Sequence, residues 1–162
     1  MAVAGAGPAG LTAACYLAKL GHEVTVFESQ PRAGGMMLLG IPEYRLPRDV
    51  LEAEIQDITD AGVEIRLNSP VTELETLFSR GYNAVFLGLG AHKGMKLGVE
   101  GDDLPGVTEA VEFLRRGNLG ERIAVGERVG VVGGGNVAID AARMSRRFGA
   151  QKVTMFYRRT RA

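Results

Sequence analysis

The chain opens on a short apolar run, Ala2-Val3-Ala4, which breaks into Gly5-Ala6-Gly7-Pro8-Ala9-Gly10. A helix-like stretch then runs to Leu20, and Gly21 stands where a helix C′ residue needs positive φ. Val24 to Phe27 is apolar again, and Glu28 is expected to be the last residue of that strand. The arrangement recurs over residues 131–158. Gly5, Gly7, Leu20-Gly21 and Val24-Thr25 meet Gly133, Gly135, Phe148-Gly149 and Val153-Thr154, at an offset of 128 that becomes 129 after one inserted residue. Each copy reads as strand, glycine turn, helix, glycine stop, strand. That is the opening of a βαβ unit, so the pattern predicts an α/β fold with parallel sheet.

Between the copies the alternation continues. Pro47 is expected as the first residue of a helix running to about Asp60, with Leu51, Ile55 and Ile58 on one face and Gly62 as its stop. Val63 to Leu67 reads as a strand, Leu74 to Arg80 as a short helix, and Tyr82 to Leu89 as a strongly apolar strand. Residues 92–106 read as a connector, Val107 to Arg116 as a helix, and Gly117 to Gly126 as a second polar connector. The domain expectation is a first module over 1–92, a connector with one helix over 93–126, and the start of a second module over 127–162, both modules being incomplete. A second sheet built only from Val129 to Val132 and Val153 to Phe156 would expose its edges. Docking on the first module or edge pairing between copies, giving a homo-oligomer, is the expected response, and steady turnover by the isolated chain is not expected.

Composition narrows the class. The 162 residues include 23 glycines, about twice the ordinary ~7% share. With 46% hydrophobic residues and no low-complexity tract, disorder is not the reason for them. Lys plus Arg equals Asp plus Glu at 19 each, which removes the basic stripe that nucleic-acid binding needs. A single cysteine, Cys15, excludes a disulfide framework and a self-contained cysteine-ligated cluster. No basic residue precedes the uncharged first 18 positions, and glycines interrupt them, so no leader or membrane span is expected and the location read from the sequence is cytoplasmic. Cys15 sits mid-helix as a packing residue, His22 and His92 have no companions for a metal site, and no catalytic triad or carboxylate pair is indicated.

The glycine turns carry the chemistry. In Gly5-Ala6-Gly7-Pro8-Ala9-Gly10 the first glycine permits the tight turn, the second admits a pyrophosphate, and the third allows close helix packing. A phosphate would lie at the helix N-terminus, where unpaired N–H groups favour an anion. Glu28, 23 residues after Gly5, can accept from both ribose hydroxyls. The Gly34-Gly35 pair would let the chain pass close to such a ligand. The second turn, Gly133-Gly134-Gly135-Asn136-Val137-Ala138, is followed after its strand by Tyr157-Arg158-Arg159 and not by an acid. Arginine forks bind a 2′-phosphate that a carboxylate would repel. The two ribose signals suggest FAD at the first turn and NADPH at the second, with hydride transfer as the chemistry. The alternative is a non-catalytic dinucleotide-binding or interaction fragment.

Three stretches bear a resemblance. Gly34-Gly35-Met36-Met37-Leu38-Leu39-Gly40-Ile41-Pro42-Glu43-Tyr44-Arg45-Leu46-Pro47, the run from Gly90-Ala91-His92-Lys93-Gly94 to Leu104-Pro105-Gly106-Val107, and Val132 to Arg143 with Tyr157-Arg158-Arg159-Thr160-Arg161 resemble the glutamate synthase small chain family. A similar module occurs in dihydropyrimidine dehydrogenase and in ferredoxin:NADP oxidoreductases. The resemblance implies a glutathione-reductase-like fold binding two dinucleotides, here in part. It implies FAD at Gly5, Gly7, Ala9, Gly10, Glu28, Gly35, Leu39, Arg45 and Val71, with Gly90-Ala91 nearby, and NADPH at Gly133, Gly135, Asn136, Val137, Arg158 and Arg159. It further implies that electrons leave the flavin for iron–sulfur clusters on a cysteine-rich domain or a partner protein. Measured against that family, the chain lacks the cysteine-rich domain and stops inside the NADPH unit, so it reads as truncated.

Overall fold

A computed structural model describes residues 1–159, and the expectations on Thr160 and Arg161 lie outside the described residues. The chain divides into two compact units, Met1–Leu38 with Glu43–Ala91, and Leu39–Pro42 with the chain from His92 onward.

In the first unit, four parallel strands take the order β3-β2-β1-β4: β1 Ala2–Ala4, β2 Val24–Phe27, β3 Val63–Arg66 and β4 Val85–Leu87. Val3 stands opposite Val26 and Phe86, and Val26 opposite Ile65. Every residue of β1 and β2 is buried, as parallel strands covered on both faces require. Helix α1 (Pro8–Lys19) has Gly7 as N-cap and Pro8 in its first turn, where a missing N–H costs nothing. Leu11 and Ala14 face Val3, Val24, Val26 and Val63, and Leu17, Ile55 and Ile58 pack around that core. The other face joins Ala2, Phe27 and Leu77 to Val71, Tyr82 and Val85. A short helix, α2 (Met36–Leu39), follows the paired glycines.

Several boundaries differ from the sequence expectation. Pro47 is the N-cap of α3 (Arg48–Asp60), not its first helical residue, because its backbone is extended at ψ 140°. Glu28 follows β2, which ends at Phe27. Strand β3 stops at Arg66 and α4 spans Leu74–Ser79 with Arg80 as its cap. β4 is three residues long within the apolar run Tyr82 to Leu89, because β1 offers only three positions to pair with.

The second unit holds α5 (Ala110–Asn118), β5 (Arg128–Val132), α6 (Asn136–Arg147) and β6 (Lys152–Phe156), with β5 and β6 pairing in parallel. α5 begins three residues later than Val107, because the Glu109 carboxylate accepts from the Val111 N–H and caps it there. It also continues through Gly117, where the sequence pattern predicts a connector. The reason is packing: a Cβ at Gly117 would lie 3.0 Å from Met144 and from the Phe148 ring. Phe113, Leu114 and Ala141 form this unit's core, with Phe113 and Phe148 edge to face at 5.9 Å. Residues 92–109 contain no helix or strand. No helix among the described residues is long and apolar enough to cross a membrane.

Candidate functional site

The three glycines of the first turn serve different ends. Gly5 has φ 102°, donates its N–H to the Phe27 carbonyl at 2.8 Å, and would place a Cβ 2.5 Å from the Gly88 carbonyl oxygen. Gly10 lies where a Cβ would be 1.9 Å from the Gly5 carbonyl oxygen. Both are demanded by the fold. Gly7 is not: φ is −84°, and a Cβ there would meet nothing closer than Gly35 Cα at 3.7 Å. Its bare face is open at the N-terminus of α1, where backbone N–H groups have no helical partner. A side chain there would fill the space that an anion on this helix end needs, so the residues fit a pyrophosphate.

Two further segments close on this turn. Gly34 (φ 124°) donates its N–H to the Ala6 carbonyl at 2.8 Å, and Gly35 (φ 52°) passes so close that a Cβ would lie 2.6 Å from Gly7 Cα. The Glu28 carboxylate is buried, with Oε2 accepting from the Ala6 N–H at 2.7 Å and Oε1 accepting from the Gln30 N–H at 2.8 Å and the Ser29 hydroxyl at 3.2 Å. A carboxylate offers about four lone-pair sites and three are taken, so acceptor capacity remains for one ribose hydroxyl.

Gly5, Gly7, Gly10, Glu28, Gly34 and Gly35 thus converge at the C-terminal ends of β1 and β2, with Pro8 and Ala9 opening α1 beside them. Val71 lines a groove of about 190 Å³ with Phe27, Ser69, Thr76, Leu77 and Arg80. Gly90 (φ 67°) and Ala91 are exposed beyond β4. Arg45 is exposed, its guanidinium 5.9 Å from the centre of the Tyr44 ring. Leu39 belongs to the second unit, where it is buried and its carbonyl accepts from Asn118 Nδ2 at 2.8 Å. Gly88 and Gln30 are not among the site residues that the sequence points to. Gly88 directly follows an apolar strand, the same position that marks Gly5, and that was its available signal.

The second turn repeats the division. Gly133 (φ 127°) donates its N–H to the Phe156 carbonyl at 2.9 Å, and a Cβ there would press on Ala138 at 3.2 Å. Gly135, the N-cap of α6, has nothing within 4 Å of where a Cβ would stand. Asn136 and Val137 are exposed at the start of α6, and Arg158 and Arg159 are exposed beyond β6. Neither arginine has an ion-pair partner among the described residues.

Residues 1–162 match the family described as pyridine nucleotide-disulphide oxidoreductase. The chain is 49% identical over 167 residues to NADP(+)-dependent formate dehydrogenase subunit beta of Moorella thermoacetica, covering 100% of this chain and 24% of that protein. It is 38% identical over 174 residues to glutamate synthase [NADPH] small chain of Escherichia coli strain K12, covering 98% of this chain and 36% of that one. The solved structure of Mycobacterium tuberculosis FprA in complex with NADPH superposes with a TM-score of 0.81 at 24% identity, over 95% of this chain and 42% of that one, which shows the fold. The chain therefore spans about a quarter to a third of the length of these two relatives.

Proposed function

The chain belongs to the pyridine nucleotide-disulphide oxidoreductase family, and we propose that it is the nucleotide-binding portion of a flavin-dependent NADPH oxidoreductase. FAD is assigned to the first unit and NADPH to the second. One observation carries this reading: in each repeat the middle glycine of the motif, Gly7 or Gly135, is bare where the protein's own packing does not require it. Two such cradles at two helix N-termini suit two pyrophosphates.

On this reading Gly7 and the first N–H groups of α1 hold the FAD pyrophosphate, and Gly35 walls it. Glu28, fixed by the Ala6 and Gln30 N–H groups, accepts from a ribose hydroxyl. The groove between Phe27 and Val71 offers apolar faces to the adenine. In the second unit Gly135 and the first N–H groups of α6 receive the NADPH pyrophosphate, and Arg158 and Arg159 bind its 2′-phosphate. When bound, the flavin supplies hydride acceptance from reduced nicotinamide and one-electron release to an iron–sulfur acceptor, on a cysteine-rich domain or a partner protein. The chain's own contribution is to bind and orient both nucleotides. That the formate dehydrogenase relative is named as one subunit of an assembly supports the partner assignment.

The test is flavin uptake. The protein, mixed with excess FAD and desalted, should retain yellow absorption that NADPH bleaches, while Gly7→Val should emerge colourless. A Gly7→Val protein that retains as much FAD as the parent overturns the assignment of the first turn. A second reading, nucleotide binding without turnover, is favoured by the β5-β6 sheet, which has two strands among the described residues and so makes a marginal platform. Sustained NADPH oxidation with an artificial acceptor would exclude it.

A further inference from the structure

We infer that Tyr157 is a specificity-positioning residue: its ring, seated on Gly134, sets where Arg158 and Arg159 leave β6, and so how well the second turn distinguishes a 2′-phosphorylated adenosine. The inference rests on the assignment of that turn to NADPH.

Gly134 is the residue that needs explaining. It is absent from the residues with positive φ, so its backbone does not demand glycine. A Cβ there would lie 2.7 Å from Cδ2, 2.8 Å from Cε2 and 3.2 Å from Cγ of Tyr157. The ring occupies the space a side chain at Gly134 would take. The preceding aromatic behaves likewise, since a Cβ at Gly130 would stand 3.1 Å from Cε2 of Phe156. The Gly133 N–H is bonded to the Phe156 carbonyl, so the turn and the exit from β6 are tied at the residue before Tyr157. Arg158 comes next, exposed and without an ion-pair partner among the described residues. Where the chain leaves β6 is thus fixed by one hydrogen bond and one ring, and the ring is the part adjoining the arginines.

The internal repeat sharpens the point. Tyr157 corresponds to Glu28 at the offset of 129, and Gly134 corresponds to Ala6 at the offset of 128. In the first copy the Glu28 carboxylate accepts from the Ala6 N–H, and on the assignment of FAD to that turn it is the group that meets the ribose. In the second copy a neutral ring stands over the glycine in its place. The same position therefore carries a charge that repels a 2′-phosphate in one turn and a spacer that admits it in the other.

The experiment is calorimetric titration of the whole chain with adenosine 2′,5′-bisphosphate and with AMP, which read the 2′-phosphate without flavin or turnover. The parent should prefer the bisphosphate, and Tyr157→Phe should keep the ratio within about twofold, because the ring and not the hydroxyl does the spacing. Tyr157→Ala and Gly134→Ala should each lower the ratio by about tenfold while AMP affinity changes by less than about threefold, the AMP value serving as the check on folding. Tyr157→Glu should abolish the preference. Equal weakening of both ligands in Tyr157→Ala, or an unchanged ratio in Gly134→Ala, overturns the inference. A parent with no preference, or an Arg158→Ala/Arg159→Ala variant that keeps it, overturns the NADPH assignment and the inference with it.

Discussion

Glycine identity alone says little, since Gly7 and Gly10 look equivalent in the motif yet answer to different constraints. Gly10→Ala would drive a Cβ to within 1.9 Å of a backbone oxygen, which no side-chain rearrangement relieves. It is expected to destabilise the first unit by at least about 3 kcal/mol, read from the denaturation midpoint. Gly7→Ala meets only an ordinary contact at 3.7 Å, so the midpoint should stay within about 0.5 kcal/mol while FAD retention falls. Equal destabilisation by the two substitutions would remove the argument for a cradle. Glu28→Gln tests the neighbouring acid. An amide has one accepting oxygen, whereas Glu28 accepts N–H bonds on both, so one of the Ala6 and Gln30 donors loses its partner. The expected cost is about 1–3 kcal/mol even without nucleotide, and a variant as stable as the parent would contradict the dual role.

At the scale of elements, α5 shows packing overruling local preference. Gly117→Ala gains about 1 kcal/mol of helix propensity, but its methyl group would stand 3.0 Å from the Phe148 ring, which Phe113 holds from its edge. Overpacking of about 1–3 kcal/mol should win, so the variant is expected to melt lower than the parent, and a higher melting temperature would refute this. The Glu112–Arg115 pair on the same helix supplies a pH test. The hydrogen-bonded guanidinium holds the Glu112 carboxylate below its ordinary pKa. Its stabilisation is therefore fully present above the unfolded carboxylate pKa and is lost as pH falls through the lower folded value. Both side chains are substantially exposed, so the contribution is only about 0.3–0.5 kcal/mol. Glu112→Gln should melt slightly below the parent at pH 7, the gap closing as pH falls below the ordinary carboxylate range, and a gap that does not narrow in acid would show that another interaction is responsible.

Over the whole molecule, the two sheets are unequal. The first has β1 and β2 buried on both faces, whereas β5 and β6 each pair with one strand and leave Val132, Met155 and Phe156 more than a third exposed. Amide exchange should accordingly be slowest in β1 and β2 and faster in β5 and β6, with uniform protection as the contrary result. Much of this architecture was legible along the chain. The repeat, the paired glycine turns, the parallel strands and the difference between Glu28 and Tyr157-Arg158-Arg159 are matters of period and residue type, which local sterics and hydrophobicity write directly into the order of residues. Other features arose only when segments distant in sequence met. Gly88 closes on Gly5, Gly35 on Gly7 and the Tyr157 ring on Gly134, and no residue in any of these pairs announces its partner. Helix α5 extends through Gly117 because Met144 and Phe148 pack against it, and β4 is short because β1 is. Periodicity reports which face of an element is apolar. How near two backbones come, and hence which glycine serves the fold and which is left bare, depends on tertiary contact, because steric exclusion acts over ångströms in space whatever the separation along the chain.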